Sequence, residues 1–245
     1  MRPGLDLEQE LQATGFTLIC GVDEAGRGPL CGPVVAAAVI LPPFRALPPS
    51  LVHIDDSKRL TAAQRDILAV TIRAEALAFG IGLCEAVEID RLNILRASLL
   101  AMNRAVAALR ATGVQGATNP PQTAPDAMPA FDGGNASVPH VEPEARIVPG
   151  FVLVDGRDVP PGLPCPARAV IKGDQLSASI AAAAILAKTH RDGIMAELAR
   201  RHPGYGWEHN AGYPTQEHLA ALERLGVTPE HRRNYGPVAR LLGLC

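Results

Sequence analysis

The stretch GVDEAGRGPLCGP, residues 21–33, runs two adjacent carboxylates, Asp23 and Glu24, straight into a loop with three further glycines and two prolines. It is flanked by TLICGV (17–22) and PVVAAAVIL (33–41), short continuous apolar runs of the kind found in strands buried on both faces. The reading is two core strands meeting at a turn. Asp23 and Glu24 then stand at a strand end, beside a loop whose glycines allow close backbone approach.

Further along, Thr61 with Gln64 three residues on forms a capping-box pattern. Ile67, Val70, Ala74 and Leu77 follow at helical spacing, predicting a helix that ends near Gly80. Residues 79–87 alternate as a third strand. Leu92, Leu95, Leu99, Met102, Val106 and Leu109 step by threes and fours between Asp90 and Gly113, predicting one amphipathic helix whose stripe faces a core. From 112 to 149 prolines abound, with one aromatic, no lysine and no sustained periodicity. Such a segment buries too little to offset ordering entropy, which predicts a disordered, acidic surface insertion.

Strand character returns at FVLV (151–154), which ends in Asp155-Gly156, and at RAVIKGD (168–174), which ends in Asp174. A long helix from Leu176 to Arg200 begins LSASIAAAAILAK, its alanines giving a smooth face for close packing. The tail, HPGYGWEHNAGYPTQEH (202–218) and then HRRNYGPV (231–238), reads as an aromatic loop, a short helix from about Thr215 and a final segment.

Asp23, Glu24, Asp155 and Asp174 thus all sit at strand ends or helix starts. Brought within 4 to 6 Å, they would repel by about 4 kcal/mol per close pair at an effective dielectric near 20. A divalent cation resolves that conflict. All-oxygen ligation selects hard ions, Mg²⁺ or Mn²⁺, and two such ions about 3.5 to 4 Å apart can drive hydrolysis of a phosphodiester. Taken singly, Asp174 is equally a helix cap and Asp155-Gly156 a turn.

A formal charge of −2 over 245 residues excludes indiscriminate polyanion binding, so any nucleic acid must be held by a local patch. The five cysteines (Cys20, Cys31, Cys84, Cys165 and Cys245) show no C-x-x-C spacing and suit reduced thiols. Acids stand where a signal peptide has its apolar core, and no apolar run approaches the roughly 18 residues that span a membrane. The expectation is a cytoplasmic protein with no membrane partner. His202, His209, His218 and His231 are spaced too irregularly for zinc and read as surface or substrate-side residues.

In order, GVDEAGRGPLCGPVVAAAVIL (21–41), DDSKRLT (55–61), EIDRLNI (88–94), FVLVDG (151–156), IKGD (171–174) with LSASIAAAAILAK (176–188), AGYPTQEH (211–218) and HRRNY (231–235) resemble type 2 ribonuclease H, the bacterial ribonuclease HII family. The resemblance spans nearly the whole chain outside an N-terminal extension, 1–15, and the 112–149 insertion. It implies an α/β, RNase H-like fold: a mixed central β-sheet flanked by helices. Residues 16–245 would form one catalytic domain with a helical C-terminal region from about 200. It also implies an endonuclease that uses Mn²⁺ or Mg²⁺ in a two-metal mechanism. Its substrates would be the RNA strand of RNA–DNA hybrids and single ribonucleotides embedded in duplex DNA, cut on their 5′ side to leave 3′-hydroxyl and 5′-phosphate ends. Such an enzyme removes RNA primers and misplaced ribonucleotides, here as a monomer.

The family's four catalytic, metal-holding carboxylates fall on Asp23, Glu24, Asp155 and Asp174. Gly26-Arg27-Gly28 supplies bare backbone to the sugar and a guanidinium to phosphate. Tyr213 resembles the family's tyrosine that stacks on the sugar and senses the 2′-hydroxyl. Lys58, Lys172 and Lys188 are candidate phosphate contacts, while Arg232-Arg233 reads more as a solvated pair than as a duplex contact.

The chain departs from the pattern at Ala184, where a small polar residue is usual and local repacking is expected. It departs again at Arg233-Asn234-Tyr235 in place of an HR-Ser-Phe ending, and at Trp207-Glu208-His209-Asn210 before the Gly-Tyr loop, so the C-terminal duplex-binding surface carries over less directly. The insertion is expected to stay clear of substrate. Two rival readings are a DNA-cutting nuclease or resolvase of the same superfamily and a non-catalytic nucleotide-binding module. The first needs neither the GRG loop nor the tyrosine. The second lacks both G-x-x-x-x-G-K-[ST] and G-x-G-x-x-G spacing and leaves Asp155 and Asp174 unexplained.

Overall fold

The computed structural model describes residues 2–112 and 145–244, so the predicted insertion lies outside the described residues except for Thr112 and residues 145–149. The two apolar runs form β1 (Ile19–Ala25) and β2 (Val34–Ile40), antiparallel, with Cys20 opposite Ile40 and Ala25 opposite Val35. β3 (Ala78–Cys84) and β4 (Arg110–Ala111) extend the sheet antiparallel beyond β2. β5 (Phe151–Asp155) and β6 (Ala167–Val170) extend it parallel on the other side of β1. The sheet is therefore mixed and six-stranded, in the order β4-β3-β2-β1-β5-β6.

Strand alternation divides the core into two layers. Val34, Ala36, Ala38 and Ile40 of β2, with Val22 and Val154, pack against α4 (Ile94–Ala107) through Ala97, Ala101, Met102 and Ala105. Ala37 and Val39 face the other way, onto α5 (Ala178–Arg201) and α2 (Ala62–Glu75). Burial on both faces explains the unbroken apolar run of β2. The helical C-terminal region comprises α6 (Trp207–Asn210), α7 (Gln216–Leu225) and α8 (Gly236–Leu241), with α1 (Asp6–Ala13) at the N-terminus and α3 (Ala86–Leu92) before α4.

The predicted capping box forms, with Thr61 and Gln64 closing it on α2, and the short helix expected from about Thr215 is α7, whose N-cap is Thr215. Other details differ. Ile67 and Val70 are 68% and 67% exposed, and α2 instead buries Leu68, Ala69 and Ile72. Two apolar stripes were available, and docking on the alanine surface of α5 selects the second. α2 ends at Glu75, short of Gly80, which lies inside β3 where a Cβ would come within 2.3 Å of the Ala105 carbonyl on α4. The single helix expected over 90–113 is two helices, broken at Asn93 with φ 68°, and Leu95 is exposed. The segment ending in Asp174 leaves β6 at Val170 and closes in a 3-10 turn, Gly173–Gln175.

α5 lies directly on β1 because residue 21 is glycine. A Cβ there would sit 2.1 Å from the Ser179 carbonyl carbon and 2.3 Å from the Ile180 nitrogen, both rigid backbone. Overpacking of this kind costs about 1–3 kcal/mol. Gly21→Ala is therefore expected to lower stability by about 3 kcal/mol, the top of that range, read from the urea midpoint at unchanged slope. The first turn of α5 is also tied to α1: buried Glu8 accepts hydrogen bonds from Ser177 Oγ (2.6 Å) and the Ser179 N–H (3.0 Å), a favourable place for a carboxylate. Among the described residues no helix is long and apolar enough to cross a membrane, and Cys20, Cys31, Cys84 and Cys165 are unbridged.

Candidate active site

The parallel β1–β5 register sets Val22 beside Val154. Asp23 and Asp155 therefore follow as neighbours on strands about 4.8 Å apart, both turned toward the α5 side of the sheet. Glu24 alternates to the other side and lines a small cleft with Arg27, Asp155 and residues of α4. Asp23 Oδ1 accepts the Glu24 N–H at 2.6 Å, and Glu24 Oε1 accepts from Arg27 Nη1 at 3.3 Å. Asp155 Oδ1 accepts the Gly173 N–H at 2.7 Å, pinning the 3-10 turn and with it Asp174 to the end of β5. The four acids, 151 positions apart at the extremes of the sequence, thus meet at one end of β1 and β5.

Their electrostatics agree with the geometry. Burial holds the Asp23 carboxyl well above the usual carboxylate range, with Glu24, Asp155 and Asp174 pushing the same way. Glu24 is raised by burial, against the pull of Arg27. Asp174 is raised by burial, then by Asp155 and by Asp56. Lys58 answers these charges: burial opposes its ammonium form, but Asp56, Asp174, Asp23 and Asp155 together outweigh that and raise its pKa. Asp56 is a member of the cluster that the sequence reading passed over. It is buried, its Oδ1 accepts the Lys58 N–H at 2.9 Å, and Gln175 Nε2 lies 3.5 Å from its Oδ2. Its only sequence signal was its place in the DDSK segment. Five carboxylates faced by Lys58 and Arg27 form an all-oxygen donor set in charge deficit, which fits hard divalent ions such as Mg²⁺ or Mn²⁺.

Beside the acids, Gly26 takes φ +96°, and a Cβ on it would lie 2.1 Å from Arg191 Nε. A Cβ on Gly28 would lie 3.2 Å from Tyr213 Cε1, so the Tyr213 ring covers the second glycine. Arg27, between them, is exposed. Tyr213 is itself held by its backbone: its N–H donates to the Asn210 carbonyl at 2.9 Å, and its carbonyl faces His218 Nδ1 at 3.0 Å. Of the three lysines, Lys58 faces the acids. Lys172 is exposed, in a left-handed conformation just before the 3-10 turn, and Lys188 pairs with Asp192 on its own helix.

The C-terminal segment corrects two expectations. Arg232 is fully buried and holds the loop backbone, whereas Arg233 is exposed, so the pair is neither solvated as a unit nor a joint surface contact. His218 and His231 are also buried rather than surface residues, and with Cys31 they bring their ligand atoms within 4.8 Å of one another. Their ring nitrogens are engaged by the protein. His218 Nε2 accepts from Trp207 Nε1 at 3.0 Å and lies 3.2 Å from His231 Nε2, while His231 Nδ1 accepts the Thr228 N–H at 3.0 Å. Burial, then His218, pushes His231 down to about 4, and burial lowers His218 and lifts the Cys31 thiol to about 12. The group therefore serves as a neutral hydrogen-bonded buckle behind Tyr213.

Comparison with known proteins adds four findings. The family model for Ribonuclease HII matches residues 20–118 and 135–237. A ribonuclease HII of Ruegeria pomeroyi is 51% identical over 241 residues, covering 98% of this chain and 86% of that protein. Among solved structures, the ribonuclease H2 from Pyrococcus horikoshii OT3 superposes with a TM-score of 0.65 at 23% identity, covering 91% of this chain and 96% of that one. Bst-RNase HIII in complex with Mn²⁺ gives 0.60 at 16% identity, covering 96% and 72%. These two likenesses establish the RNase H-like fold.

Proposed function

This chain belongs to the ribonuclease HII family and is an endoribonuclease, and from that premise we propose that it is a divalent-metal-dependent enzyme that cuts the RNA strand of RNA–DNA hybrids and the 5′ side of single ribonucleotides in duplex DNA. The observation that carries the reading is the meeting of Asp23, Glu24, Asp155 and Asp174 next to a glycine loop covered by Tyr213. Residues 16–245 act as one catalytic domain, in the cytoplasm and as a monomer, on primers and on ribonucleotides left in DNA.

Asp23, Glu24, Asp155 and Asp174 would hold Mg²⁺ or Mn²⁺. When bound, the ions supply Lewis-acid stabilisation of charge on the phosphodiester. The protein's own groups do the rest. The Glu24 N–H fixes the carboxylate plane of Asp23, and the Gly173 N–H fixes that of Asp155, so both are oriented before substrate arrives. Lys58 offers an ammonium to a non-bridging phosphate oxygen at the edge of the acid cluster. Gly26 and Gly28 admit the sugar close to the backbone, and Arg27, whose side chain is half exposed, swings from its 3.3 Å contact with the mostly buried Glu24 to phosphate. Tyr213 stacks on the sugar beside the cut, where a 2′-hydroxyl distinguishes ribose from deoxyribose. Lys172 and Lys188 are assigned supporting, salt-sensitive contacts with the duplex.

The test is a cleavage assay on matched duplexes carrying zero, one or four ribonucleotides, with Mg²⁺, with Mn²⁺ and with chelator. Cleavage only where ribonucleotide and metal are both present supports the reading, and cutting of the all-DNA duplex defeats it in favour of a DNA nuclease. Within that assay, Tyr213→Ala should lower kcat/KM on the single-ribonucleotide duplex about 10- to 100-fold, the loss of one stacking contact, while plain DNA affinity changes little. Equal losses on both duplexes would reduce Tyr213 to loop packing.

A further inference from the structure

Two buried guanidinium groups lie beneath the Gly26–Pro33 loop, and neither has a carboxylate partner within ion-pair distance among the described residues. Arg232 donates to the carbonyls of Gly26 (2.6 Å), Arg27 (3.0 Å), Pro29 (2.8 Å) and Gly32 (2.9 Å). Arg191, from α5, donates to those of Cys31 (3.1 Å), Pro33 (3.0 Å) and Ala211 (3.1 Å). Tyr235 completes the clamp: its hydroxyl accepts from Arg232 Nη1 at 3.1 Å and donates to the Arg27 carbonyl at 2.7 Å.

Burying a cation away from water and from any anion is unfavourable, and burial accordingly lowers both side chains' pKa values, Arg191 to about 10. The geometry shows what the clamp achieves. In a trans peptide the carbonyl and the N–H point in opposite directions. With the Gly26 and Arg27 carbonyls drawn down onto Arg232, the N–H groups of Arg27 and Gly28 must point up, away from the protein. Both residues are exposed, and neither N–H has a partner among the described residues. Two adjacent outward N–H groups over a buried positive charge form a cradle for an oxygen bearing lone pairs or negative charge.

We propose that Arg232 is a positioning residue for ribonucleotide recognition: by holding the Gly26 and Arg27 carbonyls it aims the Arg27 and Gly28 N–H groups at the oxygens of the substrate sugar and phosphate. The proposal rests on the assignment of the 26–28 loop to substrate made above. Arg232→Lys retains a cation but loses the planar fork that reaches several carbonyls at once. Tyr235→Phe removes one hydroxyl from the clamp and leaves the ring.

The full-length chain and both variants are compared by KM and kcat on the single-ribonucleotide duplex. Metal-free binding of that duplex and of its all-DNA match is read in parallel by fluorescence anisotropy. Arg232→Lys should raise KM and the metal-free Kd about tenfold, with kcat little changed, and should shrink the preference for the ribonucleotide-containing duplex. Tyr235→Phe should act in the same direction by about threefold, at a melting temperature close to that of the parent, as expected for one hydrogen bond. A folded Arg232→Lys variant that keeps the parent's preference overturns the proposal. If that variant does not fold, Tyr235→Phe decides, and an unchanged preference again overturns it. Parent protein that shows no preference between the two duplexes would instead fail the assignment of the loop to substrate, and the proposal with it.

Discussion

Asp23→Asn is expected to reduce cleavage of a single-ribonucleotide duplex by about 1000-fold or more, the loss of roughly 4 kcal/mol of transition-state stabilisation. The substitution is nearly isosteric, and an asparagine Oδ1 can still accept the Glu24 N–H, so the strand end keeps its shape. What disappears is charge at the point where burial, Glu24, Asp155 and Asp174 all work against it. The same change should therefore raise the melting temperature of the metal-free protein. The sign follows from proton binding. The folded state holds a proton on Asp23 at pH values where the unfolded chain has released it, so the stability present below the ordinary carboxylate range is lost as pH rises through the raised titration. Metal-free parent protein should lose stability as pH climbs from about 4 toward neutrality, and Asp23→Asn should lose less. Added Mg²⁺ or Mn²⁺ should restore the parent and not the variant. Wild-type cleavage by Asp23→Asn, or a lower melting point without metal, would remove Asp23 from the centre of the site.

Gly26→Ala is expected to cut both stability and cleavage. At φ +96° a Cβ is strained, and it would fall 2.1 Å from Nε and 2.4 Å from Cδ of Arg191. That side chain cannot swing aside cheaply, because its guanidinium is committed to the Cys31, Pro33 and Ala211 carbonyls. Overpacking with backbone strain puts the loss at about 3 kcal/mol. The loop must lift away from Arg191, carrying Gly28 out from under Tyr213, and kcat/KM should fall about 100-fold through misplacement of substrate. Chemical denaturation and the duplex assay read the two effects separately. A stable variant with full activity would show that the loop has room the structure does not provide.

Much of this architecture was legible in the sequence because the relevant forces are local. β1, β2 and β5 read as apolar runs since both their faces are buried, and the Thr61–Gln64 capping box announced α2. The four acids were conspicuous because each stands at a strand end or a helix start. The rest depends on partners distant in the chain. Which stripe of α2 is buried is decided by α5, more than a hundred residues later. Asp56 carried no signal beyond its place in DDSK, because the acid it joins, Asp174, lies more than a hundred positions later. Arg232 looked solvated, as consecutive arginines usually are, because the carbonyls that bury it belong to residues some two hundred positions earlier. His218 and His231 read as scattered polar residues for the same reason.

The far edge of the sheet has a consequence for how this chain tolerates change. Ala111 donates its N–H to the Ala145 carbonyl, and Ile147 donates to that of Leu109, so the strand leaving the sheet and the segment returning to it are already joined. With both ends fixed in contact, lengthening what lies between costs only about 0.6 kcal/mol per doubling. β4 stands three places from β1, on the side away from β5 and β6. The sheet thus carries a natural splice point, where sequence can be gained or shed without altering the distance between Asp23 and Asp155.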